Sequence, residues 1–69
     1  MDTPVIKHVK GTGSVYDLFW GIGWKNHVRL KLVTDRRTGK ATQAIILSKT
    51  EESHDTIKQT ALGVFNGNT

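Results

Sequence analysis

The sequence predicts a small α+β domain, a two-layer sandwich in which an antiparallel sheet of about three strands carries one or two helices on one face. Two patterns support this prediction. Apolar and polar residues alternate on both sides of a glycine-containing turn between His27 and Ser48, as in a β-hairpin. Near the end of the chain, apolar residues recur at helical spacing at Ile57, Ala61, Val64 and Phe65.

Length and composition limit the chain to a single small basic domain, residues 1–69, with ends at 1–4 and 66–69 that we expect to fray. The 69 residues are 36% hydrophobic, and there is no cysteine to form a disulfide or a thiolate site. No apolar run reaches the length of about 20 residues that crosses a membrane, and no signal peptide opens the chain. We therefore expect an intracellular protein, cytoplasmic or nuclear/nucleoid, that does not enter a membrane.

The first half of the chain allows two interpretations. Residues 5–10 indicate a short strand, and residues 11–13 a turn. Ser14 and Asp17 resemble a capping box, and the apolar spacing up to Ile22 favours a helix that Gly21 and Gly23 end. The order is then β-α-β-β-α. The alternative is a strand over residues 15–20, which are good strand formers, and the order β-β-β-β-α with a single C-terminal helix.

The hairpin register follows from its turn. With a five-residue loop over 35–39, Leu32 lies opposite Thr42 and Leu30 opposite Ala44, which gives one apolar face. Arg29 and Lys31 then lie on the other face. After the hairpin, Thr50 is the predicted N-cap of the last helix, with acidic residues at 51 and 52 in its first turn and an end at or after Gly63.

Positive charge is concentrated on the hairpin and indicates a polyanionic partner. Ten Lys and Arg outnumber six Asp and Glu, for a net charge of +4. We predict binding of RNA or DNA, with phosphate contacts from the cations and base stacking from a tryptophan before the hairpin. The residues predicted to bind are Arg29, Lys31, Gln43, Arg36, Arg37, Lys40 and Trp24.

Several segments resemble the RNA-recognition motif family. They are Leu18-Phe19 with Ile22-Gly23, Val28-Arg29-Leu30, the loop from Thr34 to Lys40, Thr50-Glu51-Glu52 and Phe65-Asn66-Gly67. The resemblance implies RNA binding on the open face of a sheet. The segment that would be the family's third strand, residues 40–47, has no aromatic residue.

The strand interpretation of residues 15–20 carries a second resemblance. Three antiparallel strands followed by a helix are similar to the DNA-binding domains of plant ethylene-response factors and to the arm-binding domains of phage-type integrases. That resemblance implies a sheet laid into the major groove. The residues that would contact DNA are Trp20, Trp24, Arg29, Lys31, Arg36 and Arg37.

A protein-interaction module or inhibitor, such as a phage-type accessory protein, is the alternative function. Ile45 and Leu47 point outward in the predicted register, and with Trp20 they would dock on a protein partner. We predict that residues 5–10 pair with one hairpin strand, so that the second hairpin strand is an unpaired edge of the sheet. Such an edge favours a homodimer, unless the tail from Val64 supplies a fourth strand.

Catalysis, metal binding and cofactors are not indicated. His8, His27 and His54 lack the spacing of metal ligands, and no cysteine or acidic cluster completes a site. Gly11-Thr12-Gly13 is too short for a phosphate-binding loop. We therefore predict a protein that is not an enzyme.

Overall fold

The fold is a four-stranded antiparallel sheet followed by one helix, as seen in a computed structural model that describes residues 3–67. The strands are hydrogen-bonded in chain order. They are β1 (Val5–His8), β2 (Val15–Trp20), β3 (Asn26–Thr34) and β4 (Ala41–Ile46); a 3-10 turn (Ile22–Trp24) precedes β3, and α1 (His54–Asn66) ends the domain. The predicted α+β sandwich is confirmed in its β-β-β-β-α form.

The core lies between one face of the sheet and α1. Leu18 of β2 and alternate residues of β3 are almost completely buried, and Ile57 and Ala61 of the helix close over them. The helix packs mainly against β4 and also reaches β1, the strand at the opposite edge. One face of the sheet is thus covered by the helix, while the other has no covering element among residues 3–67.

The helix favoured for residues 14–22 is wrong, because Val15–Trp20 forms a central strand. It pairs with β1 on one side and β3 on the other, so its backbone groups find partners in both neighbours. Asp17 does not serve a capping box; it faces Arg29 across the sheet. The first strand ends at His8, before the predicted limit, and it pairs with β2 and not with the hairpin.

The hairpin differs from the predicted register by two positions. Leu30 lies opposite Ile46 and Lys31 opposite Ile45, because two irregularities add together. Asp35 and Lys40 close the loop through a 2.8 Å backbone hydrogen bond, which makes the loop one residue shorter than predicted. A bulge between Val33 and Thr34 supplies a second one-residue shift. The two-residue change leaves residues 43–46 on their predicted faces, but Thr42, predicted on the apolar face, is exposed at the bulge, and Ala41 joins the core instead.

The last helix begins later than predicted. Ser53 is its N-cap, and Thr50 instead accepts a hydrogen bond from the Glu52 N–H at 3.1 Å. The helix continues through Gly63 and ends at Gly67, whose positive φ of 78° makes a left-handed cap.

The alternative in which the tail from Val64 supplies a fourth strand does not hold for residues 64–66, which are helical. Asn66, which we expected to fray, donates to the carbonyl of Ala41 at 3.0 Å and accepts from its N–H at 2.8 Å. This side chain ties the end of the helix to edge strand β4. Residues 1, 2, 68 and 69, also predicted to fray, lie outside the described residues.

No helix within residues 3–67 is long and apolar enough to cross a membrane.

Candidate nucleic-acid interface

The sheet face opposite the helix carries a mixed set of cationic, aromatic and aliphatic side chains. We call this surface the open face. Because successive side chains of a strand point to opposite faces of the sheet, the strand pairing shows which residues belong to the open face. Its members are Val5, Lys7, Val15, Asp17, Phe19, His27, Arg29, Lys31, Val33, Gln43 and Ile45.

A cluster around Asp17 occupies the middle of the open face. The Arg29 Nε donates to the Asp17 Oδ1 at 3.0 Å, and the His27 Nε2 lies 3.0 Å from the same oxygen. The hydrogen bond from Arg29, together with that from His27, lowers the pKa of Asp17 against the opposing effect of partial burial. The Asp17 carboxylate in turn raises the pKa of Arg29. Arg29 is held in place by this pair, yet about half of its side chain remains exposed.

Rings gather at the end of the open face next to the 3-10 turn. Phe19 and His27 are stacked, with ring centroids 4.7 Å apart and planes inclined by 24°. The Lys7 Nζ lies 6.0 Å from the centroid of the Phe19 ring. Trp24, 39% exposed, adjoins Phe19, and together with Val5 and Lys7 these residues line a cavity of about 280 Å³.

The basic loop lies at the other end of the sheet. The Asp35 carboxylate accepts the Arg37 N–H at 2.7 Å, and Gly39 takes a positive φ of 74° that closes the turn. Arg36, Arg37 and Lys40 are all exposed. Within residues 3–67, none of these three cationic groups forms an ion pair. Their charges are therefore available to a ligand.

The predicted contact residues fall into two groups. Arg29, Lys31 and Gln43 lie on the open face. Trp24 lines the cavity at one end of this face, and the loop cations lie at the other end. Of the predicted protein-docking residues, Ile45 shares this face, beside Lys31. Trp20 instead packs against the core, on the helix side.

Trp20 and Leu47 meet in a separate wide cleft of about 860 Å³ between the end of β4 and the start of the helix. Both residues line it beside polar and charged groups that include Lys25, Lys49 and Glu52. This cleft shares no lining residue with the small cavity at Phe19, although His27, which stacks on Phe19, also lines the cleft.

Sequence reasoning missed seven of the eleven residues of the open face, and four of the seven form its ion-pair and ring clusters: Lys7, Asp17, Phe19 and His27. Three of them depend on β2, since Asp17 and Phe19 belong to it and His27 stacks on Phe19. The composition of residues 15–20, rich in good strand formers, was the signal that could have found them, had the strand interpretation been preferred.

Charge is divided between the two layers of the domain. Residues 3–50, which include the whole sheet, contain nine Lys and Arg and two acids, Asp17 and Asp35. Residues 51–69 contain three acids and a single cation, Lys58. The net positive charge of the protein thus belongs to the sheet and its loops.

No group of three or more His, Cys, Asp or Glu residues within the described part of the chain could hold a metal ion. The arrangement on the open face suits recognition of an anion with flat apolar parts.

No family model matches the chain, and neither curated proteins nor solved structures include one that is similar to it.

Proposed function

We propose that this protein binds nucleic acid through the open face and the basic loop. The observation that carries the proposal is the combination of stacked rings and exposed cations on a sheet face that the helix leaves uncovered. Phosphates attract the cations, and bases stack on the rings, so the two parts of the face match the two parts of a nucleotide.

The electrostatics support the same partner. Lys7 and Lys31 flank Arg29 on the open face, and the loop cations continue the positive surface beyond β3. Among residues 3–67, Asp17 is the one acid that opposes them on this face, and it is already engaged by Arg29 and His27. An anionic strand lying along β3 would therefore meet cations from the middle of the sheet to the loop.

Binding of RNA and DNA oligonucleotides should be titrated between about 50 and 200 mM salt. Each cation that contacts a phosphate contributes about −0.7 for a single strand, or −0.9 for duplex DNA, to the slope of log K against log salt. We expect Lys31→Gln to reduce the slope by about one such contribution. Lys58→Gln, which removes the same charge from the helix, is the matched control and should leave the slope unchanged. No binding at about 50 mM salt would refute the proposal.

Protein docking is a second candidate function, and the exposed aliphatic residues favour it. Leu47 is 52% exposed beside Trp20 in the wide cleft, and Ile45 is exposed on the open face. Apolar side chains of this kind anchor protein interfaces. The test is capture of a protein from nuclease-treated extract, with Leu47→Lys as the variant expected to lose it. Capture that needs intact nucleic acid would contradict this second function.

A further inference from the structure

The cavity beside Phe19 is the most specific feature of the open face. Two aromatic rings, Phe19 and Trp24, line it together with Val5 and the cationic Lys7. Its volume of about 280 Å³ is small, and it is open to solvent at the edge of the sheet. A flat ring system carrying a negative group would stack on the aromatic walls and place that group near the Lys7 Nζ.

The backbone holds Trp24 at this cavity in an unusual conformation. Trp24 has a φ of 56°, in the left-handed region that a bulky residue rarely occupies. Gly21 and Gly23 beside it also have positive φ, and the Trp24 N–H donates to the Gly21 carbonyl at 3.1 Å. Strained backbone of this kind persists where the surrounding structure requires it and is concentrated at ligand sites.

The geometry of the sheet distinguishes between a duplex and a single strand. Strands lie about 4.8 Å apart, so four of them span about 14 Å before their side chains are added. The major groove of B-DNA is about 12 Å wide, narrower than this sheet. Bases in a duplex are also stacked on one another and cannot enter a side cavity. An unpaired base has both faces available to aromatic rings.

We propose that the cavity between Phe19 and Trp24 receives one unpaired base of a single-stranded nucleic acid, whose phosphate lies at Lys7. This inference rests on the proposed nucleic-acid binding and identifies the strandedness of the ligand. The rest of the strand runs along the open face toward Lys31 and the basic loop. Phe19 presents its outer ring face to the base, since His27 stacks on it.

The first experiment compares one mixed-sequence oligonucleotide, as RNA and as DNA, in single-stranded and duplex form with the wild-type protein. We expect the single strand to bind at least tenfold more tightly than its duplex. An abasic residue is then moved along the single strand, and one position should weaken binding about tenfold, in the range of one lost stacking contact. This measurement leaves the protein unchanged, so it does not depend on the folding of a variant.

The second experiment uses Phe19→Leu and Trp24→Leu, which remove the rings and keep apolar side chains. We expect each to weaken single-strand binding about tenfold with an unchanged salt slope, because no charge is lost. Circular dichroism checks the fold, and Val64→Ala, on α1 and away from the open face, is the control. The proposal of a stacked base would be overturned if the duplex bound as tightly as the single strand, or if the two variants bound with wild-type affinity. Either result would leave the proposed nucleic-acid binding intact. Absence of binding to every oligonucleotide would instead reject the proposed function as well.

Discussion

Asp17→Asn is the substitution most informative about the open face. In the wild-type protein the Asp17 carboxylate accepts from the Arg29 Nε at 3.0 Å. A phosphate approaching Arg29 must compete with this carboxylate and is repelled by it. The variant keeps a side-chain oxygen that can accept from Arg29 but removes the negative charge. We therefore expect tighter binding of single-stranded nucleic acid.

The size of the effect can be worked out from two contributions. Two unit charges about 6 Å apart in water interact with an energy equivalent to about a threefold change in affinity. If Arg29 also turns to a phosphate, the salt slope steepens by about 0.7, which is a further factor of about three between 200 and 50 mM salt. Asp17→Asn should thus bind about three- to tenfold more tightly at about 50 mM salt, and this gain should shrink as salt is added.

Fluorescence anisotropy with a labelled single strand measures the change, at several salt concentrations. Asp55→Asn removes the same charge from the first turn of the helix and serves as the matched control, which should leave affinity unchanged. Weaker binding by Asp17→Asn would refute the reasoning. It would show that Arg29 needs the carboxylate to hold its position against the phosphate.

Three further predictions concern stability. Asn66→Ala removes both hydrogen bonds to Ala41 and should lower the free energy of unfolding by about 1–3 kcal/mol in urea titration; an unchanged midpoint would contradict the role of this side chain. Gly21→Ala should cost about 1–3 kcal/mol by the same assay, because its φ of 88° and ψ of 174° suit glycine alone and the new Cβ would lie 2.6 Å from the Asn26 Nδ2. Arg29 lowers the pKa of Asp17 in the folded protein. Their pairing therefore stabilises the fold above the pKa of Asp17 in the unfolded chain, about 3.9, and this stabilisation is lost as pH falls through the pKa of Asp17 in the folded protein. The thermal midpoint of the wild type should therefore fall relative to Asp17→Asn between about pH 5 and pH 2, and parallel curves would contradict this.

Several features follow from local sequence. Alternation assigns Leu30 and Leu32 to the core and Arg29 and Lys31 to the outer face, and a two-residue change of register leaves that assignment intact. Helical spacing likewise predicts the buried positions Ile57 and Ala61. These predictions are robust because each depends only on which side of one element a residue occupies.

The register of the hairpin could not be predicted from local sequence. The loop closes between Asp35 and Lys40, and the bulge follows at once, where β4 has the extra residue Thr42 opposite Val33 and Thr34. Neither irregularity has a clear sequence signal, and each alone would turn Ala44 and Ile46 of β4 away from the core. Burial of the apolar face penalises that outcome, so the two occur together.

By itself, the sequence determined a basic two-layer α+β domain with a cationic hairpin and a C-terminal helix. Tertiary structure alone decided the state of residues 15–20, whose composition suits a strand and whose spacing suits a helix. As a strand, this segment bonds to β1 and β3 on both sides and buries Leu18. The strand places Asp17 against Arg29 and Phe19 on His27. The ring cluster therefore exists because backbone pairing between distant segments outweighed a local helical preference.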